Sequence, residues 1–313
     1  MTGACGSHTR GVNEVQHFFK QLNRYKYPYL FVGPALLLLL VFSIIPIIIA
    51  LVISFTNIDL AGLANYSNIE AVGFDNYIKI FKDPVFLKSM YNTFFYVIIG
   101  VPLVVVLAMS AALLLNYGTG LIFKTFRVVY YMPSITNIVA VAVVWGYLYN
   151  SHYGLFNYIL SWFGVPAQQW LSDPTLAKLS LILLAVWKGI GLNMIIFLAA
   201  LQGIPRSYYE AAEIDGANKW QKLLFITVPL LSFATFFVTI TTLIGWIQFF
   251  EEPLVMTEGG PLNATMSMAL FIYNNGFQLS NFGYAAAGSF MLFILIIVAT
   301  MVQFAVKKKD VEY

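Results

Sequence analysis

Few side chains in this sequence have the type and spacing that covalent chemistry needs. No HExxH, CxxC or GxSxG occurs, so the residues for zinc hydrolysis, dithiol exchange and a serine nucleophile are missing. The segment GTGLIFKT, residues 118–125, ends like a phosphate-binding loop, but Phe123 stands where a glycine must precede the lysine. His8, His17 and His152 are scattered and lack ligand spacing, which fits solvated surface residues. The single cysteine, Cys5, allows no internal disulfide. No catalytic residue, metal site or resident cofactor is expected, and the chain is not expected to be an enzyme.

The polar residues that stand out lie inside apolar runs. Lys188 is the one ionisable side chain at depth there, tyrosines aside. A charge so placed must face a cavity or a partner, and Glu251 or Glu252 is the expected partner. Asn193 follows in the same run. Further on, Thr239, Thr242, Trp246 and Phe249 recur at helical spacing, with Thr241, Gly245 and Gln248 as a neighbouring stripe. Hydroxyls, an amide and aromatic faces supply hydrogen bonds for hydroxyl groups and platforms for CH faces, which a sugar site needs. Lys188, Asn193, Thr242, Trp246, Gln248 and Phe249 are therefore candidate solute-path residues. The same residue types also serve helix packing and interfacial anchoring.

The elements that must position these residues follow from composition. Of 313 residues, 60% are hydrophobic and 10% charged, against about a quarter charged in a soluble domain. The apolar excess must face lipid. Six windows have the length and apolarity of membrane spans, at about 30–55, 91–115, 128–149, 179–202, 223–250 and 284–306. Pro46, Pro102, Pro133 and Pro229 fall within them and predict kinks. The first window is too long for a signal-peptide core and is read as a retained span. Residues 1–16 are polar and irregular, a tail or an expression remnant. With both ends cytoplasmic, twelve Lys and Arg fall inside and four outside, as the positive-inside rule requires. NYIKIF at 76–81 and GLFNYILSWFG at 154–164 predict short helices on the outer side. The spans contain no acid, which argues against a proton-coupled carrier.

One inner loop is unusual for a connector. Residues 204–231 read IPRSYYEAAEIDGANKWQKLLFITVPLL. Glu210, Ala211 and Ala212 favour helix, Gly216 interrupts it, and a second helical stretch leads to Pro229. This predicts a helix–glycine–helix elbow whose alanines admit another backbone closely.

The spacing of Glu210, Ala211, Ala212, Gly216, Ile226, Val228 and Pro229 resembles the EAA loop of binding-protein-dependent ABC importer permeases, with Val228 in place of the commoner leucine. RVVYYMPSITNIVAVAVVW (127–145), VWKGIGLNMIIFLAALQGIP (186–205) and VMTEGGPLNAT (255–265) resemble the carbohydrate-uptake members, of the maltose and glycerol-3-phosphate type. The resemblance covers residues 91–306 as a permease core. Around it lie a tail at 1–29, the first span with its outer loop at 30–90, and a second tail at 307–313.

The resemblance implies an all-α integral membrane protein of the type I ABC importer fold, with six transmembrane helices and both termini cytoplasmic. It implies that Glu210, Ala211, Ala212, Gly216, Ile226 and Pro229 form a coupling helix docking on an ATPase subunit. The implied partners are a second homologous permease, two ATP-binding subunits that hold the ATP, an extracytoplasmic solute-binding protein and membrane lipid. The implied location is a bacterial or archaeal plasma membrane. The solute is a sugar or oligosaccharide, neutral or acidic, with glycerol-3-phosphate or another polyol as alternative. A stand-alone carrier or channel is the competing reading, and it leaves the elbow without a purpose.

Overall fold

The computed structural model describes residues 26–307. Cys5, His8, His17, the basic residues Arg10, Lys20, Arg24, Lys308 and Lys309, and most of both proposed tails lie outside the described residues. The described chain is helical, and its β structure is one isolated bridge, Thr56 to Ala71. It divides into two units, the described residues up to Ser54 and those from Phe55 on.

In the first unit, helices α1 (Lys26–Leu39) and α2 (Ile45–Ile53) flank a π-helical turn, Leu40–Ile44. Pro46 has no N–H for the carbonyl four residues back, and the widened turn lies where that bond is missing. Leu30–Ile53 is long and apolar enough to cross a membrane.

In the second unit, α3 (Asp75–Lys82) is the short amphipathic helix expected from NYIKIF. Helix α4 runs from Pro84 to Asn116, 33 residues, or about 50 Å at 1.5 Å per residue. It starts seven residues before the expected window, so residues 84–90 belong to this helix and not to the outer loop. The cause is local. The Asp83 carboxylate accepts from the Val85 and Phe86 amides at 2.8 and 3.3 Å, and Pro84 takes the first helical position. Asp173 and Pro174 repeat this device at the start of α8 (Pro174–Gln202), where Asp173 accepts from Thr175 and Leu176.

Two expected spans are bent. The third window becomes α5 (Leu121–Ile135) and α6 (Ile138–Leu148), at 101° to each other. Pro133 falls near the end of α5, not near the start of the span. Thr136 leaves the helical region, and the Asn137 side chain caps α6 by accepting from the Val139 amide. The outer helix expected at 154–164 is α7 (Leu155–Ser161). The fifth window pairs the stretch Lys219–Leu230 with α11, below, at 61°. Four described helices are long and apolar enough to cross a membrane, or up to six spans if each bent pair counts as one.

Further helices are α9 (Arg206–Ile214), α10 (Lys219–Lys222), α11 (Ser232–Ile247), α12 (Glu251–Thr257), α13 (Met268–Tyr273) and α14 (Phe282–Lys307), with shorter turns of helix at Leu60–Ala64, Tyr66–Asn68, Leu223–Thr227, Val228–Leu230 and Asn274–Gln278. Helix α4 is the axis of the core. Its stripe Ala108, Ala111, Ala112 and Leu115 packs against Met194, Phe197, Leu198 and Leu201 of α8 and Val238 of α11. Small residues at i, i+3, i+4 let these helices approach closely, the usual device where lipid removes the hydrophobic drive between helices. The N-terminal end of α4 holds a loop in place. Lys88 donates to the Leu262 carbonyl, Asn92 to those of Asn263 and Met266, and Tyr96 to that of Thr265. Elsewhere the helices expose apolar residues such as Ile98, Val106, Leu114 and Met301, a surface suited to lipid.

Candidate functional site

A cleft of about 560 Å³ lies between α8 and α11, closed by Val104 of α4, Ser134 of α5 and the turn into α12. All six path candidates line it: Lys188, Asn193, Thr242, Trp246, Gln248 and Phe249. The structure nevertheless separates their roles. Trp246 and Phe249 are buried, stack at 5.1 Å and 15°, and join Tyr96, Val101 and Val104 in one cluster. Gly100 of α4 lies directly under the Trp246 ring, and a Cβ there would collide with it. This glycine is required by close approach, and Trp246 is chiefly a packing residue with one side toward the cleft. Helix α11 ends at Ile247, so Phe249 reaches the stack from the following turn and not from a continued helical stripe. The neighbouring stripe is the open one: Thr241, Gly245 and Gln248 are exposed. Thr239 is absent from the cleft lining and bonds its own helix, donating to the Thr235 carbonyl.

Lys188 lies fourteen residues into α8, about 21 Å along it, because the helix begins at Pro174 and not at the expected 179. Its Nζ stands 3.9 Å from Glu251 Oε2. Glu252 is buried beside this pair. Burial pushes its carboxyl above the usual carboxylate range; a backbone hydrogen bond and the Lys188 charge oppose that rise, and Glu251 adds to it. Asn193 donates to the Gly189 carbonyl at 2.8 Å, which leaves its side-chain oxygen as an acceptor. The Thr242 hydroxyl is buried without a hydrogen-bond partner.

Ser134 was not among the residues marked in the sequence. Its hydroxyl donates to the Lys188 carbonyl at 2.7 Å and accepts from the Leu192 amide at 3.1 Å, bridging the ladder of α8 beneath Lys188. Gly191 permits this, since a Cβ there would meet the Tyr130 carbonyl and Ser134. A lone serine in an apolar helix carries no periodic signal. The paired small residues of KGIG were the one available hint.

The elbow forms a second site. Helix α9 carries Glu210, Ala211 and Ala212. It closes through Gly216, at φ +76°, with the Ala217 amide donating to the Ala212 carbonyl and the Gly216 amide to that of Glu213. This is a Schellman closure, which needs a left-handed residue. Asn218 and Gln221 then cap α10 reciprocally. Lys222 donates to Glu213 at 2.7 Å across the elbow; that hydrogen bond, then the lysine charge, lowers the Glu213 pKa. Tyr209 and Thr227 hydroxyls share a 3.0 Å bond that fixes α9 to the second limb. Glu210 and Ala211 are exposed, Ala212 and Ile226 half-buried, and Gly216 and Pro229 exposed. Ile214 is 88% and Trp220 72% exposed, so the elbow displays apolar side chains among its charges.

Comparison with known proteins places this architecture. Residues 81–309 match the family described as binding-protein-dependent transport system inner membrane component, and the chain belongs to that family. It is a multi-pass transport permease. The lactose transport system permease protein LacF of Rhizobium radiobacter is 35% identical, over 88% of this chain and 92% of the relative. The arabinooligosaccharides transport system permease protein AraP of Halalkalibacterium halodurans is 34% identical, over 73% and 74%. The trehalose/maltose transport system permease protein MalF of Thermococcus litoralis is 34% identical, over 69% and 73%. A chain in the crystal structure of a bacterial ABC transporter for import of the acidic polysaccharide alginate superposes with a TM-score of 0.80 at 22% identity, covering 95% of this chain and 100% of that one. At that identity the likeness speaks for the fold alone.

Proposed function

We propose that this permease imports a sugar or oligosaccharide, driven by ATP that partner subunits bind. The chain crosses the membrane six times, counting each bent pair once, with both ends cytoplasmic. It pairs with a second homologous permease and receives solute from an extracytoplasmic solute-binding protein. Relatives named for lactose, arabinooligosaccharides and trehalose/maltose support the carbohydrate class. The elbow, with Glu210, Ala211, Ala212, Gly216, Ile226 and Pro229, docks on an ATPase subunit. The cleft, with Lys188, Asn193, Thr242 and Gln248, forms this chain's share of the solute path, and Trp246 and Phe249 wall it.

The observation that carries this reading is the elbow itself. Its two limbs are fixed by a Schellman turn, a capping box and the Tyr209–Thr227 bond, while Glu210 and Ile214 point outward. A connector needs no such order. Alternating access then has a rigid handle: ATPase closure shifts the elbow, and the stretch 219–230 passes that shift to α11 across the 61° bend.

Co-purification tests the docking. The wild-type permease should retain the ATPase subunit through a detergent wash. Glu210→Lys should insert normally yet lose it, since reversing an interfacial charge leaves its partner unpaired, at about 2–5 kcal/mol. Full retention by the variant would contradict the docking.

A further inference from the structure

The charges in the cleft bear on which carbohydrates it admits. Three ionisable side chains line it, Lys188, Glu251 and Glu252. Glu251 stands against the Lys188 ammonium at 3.9 Å, and Glu252 lies in the same electrostatic field, coupled to both. Two carboxyls therefore attend one ammonium. Among the described residues no arginine lines the cleft. A guanidinium fork is the group that grips a carboxylate or phosphate in two places, while an ammonium acts as a point charge. Here that point charge already has a carboxylate beside it.

The remaining polar groups are uncharged. The Gln248 side chain, an amide donor and acceptor, is exposed in the cleft lining. Asn193 presents a side-chain oxygen, and Thr241 a hydroxyl whose proton is given to the Phe237 and Val238 carbonyls. The buried Thr242 hydroxyl at the cleft wall lacks a partner. Amide, acceptor oxygen and hydroxyl match the mixed donor and acceptor pattern of sugar hydroxyls.

Resting on the reading of this cleft as solute path, we infer that it selects uncharged saccharides and disfavours uronates and sugar phosphates, with Glu251 as the residue that enforces the choice. A solute carboxylate or phosphate approaching Lys188 meets Glu251, whose side chain is 60% exposed against 19% for Lys188. Like charges placed together in this way are a general device against the wrong ligand. A neutral sugar leaves the Lys188–Glu251 pair intact and bonds the amide and hydroxyl groups around it.

The test uses the assembled importer in nanodiscs without its solute-binding protein, so that the receptor's own preference does not enter. Calorimetry measures binding of lactose, maltotriose, arabinotriose and trigalacturonate to the wild type and to Glu251→Gln, an isosteric change at a 60% exposed side chain. At least one neutral sugar should bind the wild type about tenfold or more tightly than trigalacturonate, and Glu251→Gln should narrow that ratio by about tenfold. Trigalacturonate binding as tightly as every neutral sugar, or a ratio unchanged by Glu251→Gln, overturns the selectivity. Absence of binding by all four overturns the reading of the cleft as solute path, and the selectivity with it.

Discussion

At the scale of the residue, Trp246 and Gln248 lie two positions apart and do different work. Trp246 rests on Gly100 inside the cluster of α4, α8 and α11. Trp246→Ala should therefore cost about 3–5 kcal/mol of folding stability and lower the apparent Tm of the purified subunit. Gln248→Ala should leave the Tm within a degree or two, because an exposed substitution costs about 0.5 kcal/mol or less, and should lower transport. Equal Tm values for the two variants would mean that Trp246 does not pack as described. Glu252 gives a pH dependence of definite sign. Burial raises its pKa in the folded chain. Stability from such a group is complete below the unfolded carboxylate range and is lost as pH rises toward the folded value. Glu252→Gln should raise the apparent Tm at pH 7.5 and change it little at pH 4. A larger gain at pH 4 would reverse the sign. The polar cleft residues of α8 and α11 were legible because each is conspicuous in an apolar run, whereas Ser134 of α5 was not. Their division into packing and open stripes was not, since it depends on Gly100 of a different helix.

At the scale of the element, the elbow was legible almost residue by residue. Glycine after a run of helix formers is local chemistry that sequence displays directly, whereas the Asn218–Gln221 capping pair that starts the second limb emerged only from the structure. Gly216→Val tests it. Valine at φ +76° costs about 1–2 kcal/mol through its Cβ and should weaken ATPase retention while membrane insertion persists. Retention at the wild-type level would show that the Schellman turn is dispensable. The spans were less legible. The sequence predicted a kink at Pro133 near the start of the third span, whereas the 101° break follows it, where Thr136 leaves the helical region and Asn137 caps the next segment. The starts of α4 and α8 were placed too late because hydropathy ignores the Asp-Pro pairs that begin both helices. The bridge from Ser134 to α8 joins elements 54 positions apart. No periodicity reports it.

At the scale of the whole molecule, topology and transport test the proposed function. The proposed topology puts Lys219 inside and Glu258 outside. In a Cys5-free background, an impermeant maleimide added outside should label Glu258→Cys and spare Lys219→Cys. The reverse pattern would contradict the six-span arrangement. The most direct test of the account is uptake of labelled saccharide by proteoliposomes. They would contain this permease, its partner permease and two ATPase subunits, with the solute-binding protein added outside. Uptake should require ATP inside the vesicle and the binding protein outside, and Glu210→Lys should abolish it while the permease remains inserted. Saccharide accumulation that proceeds at the wild-type rate without ATP, or with Glu210→Lys, would contradict it.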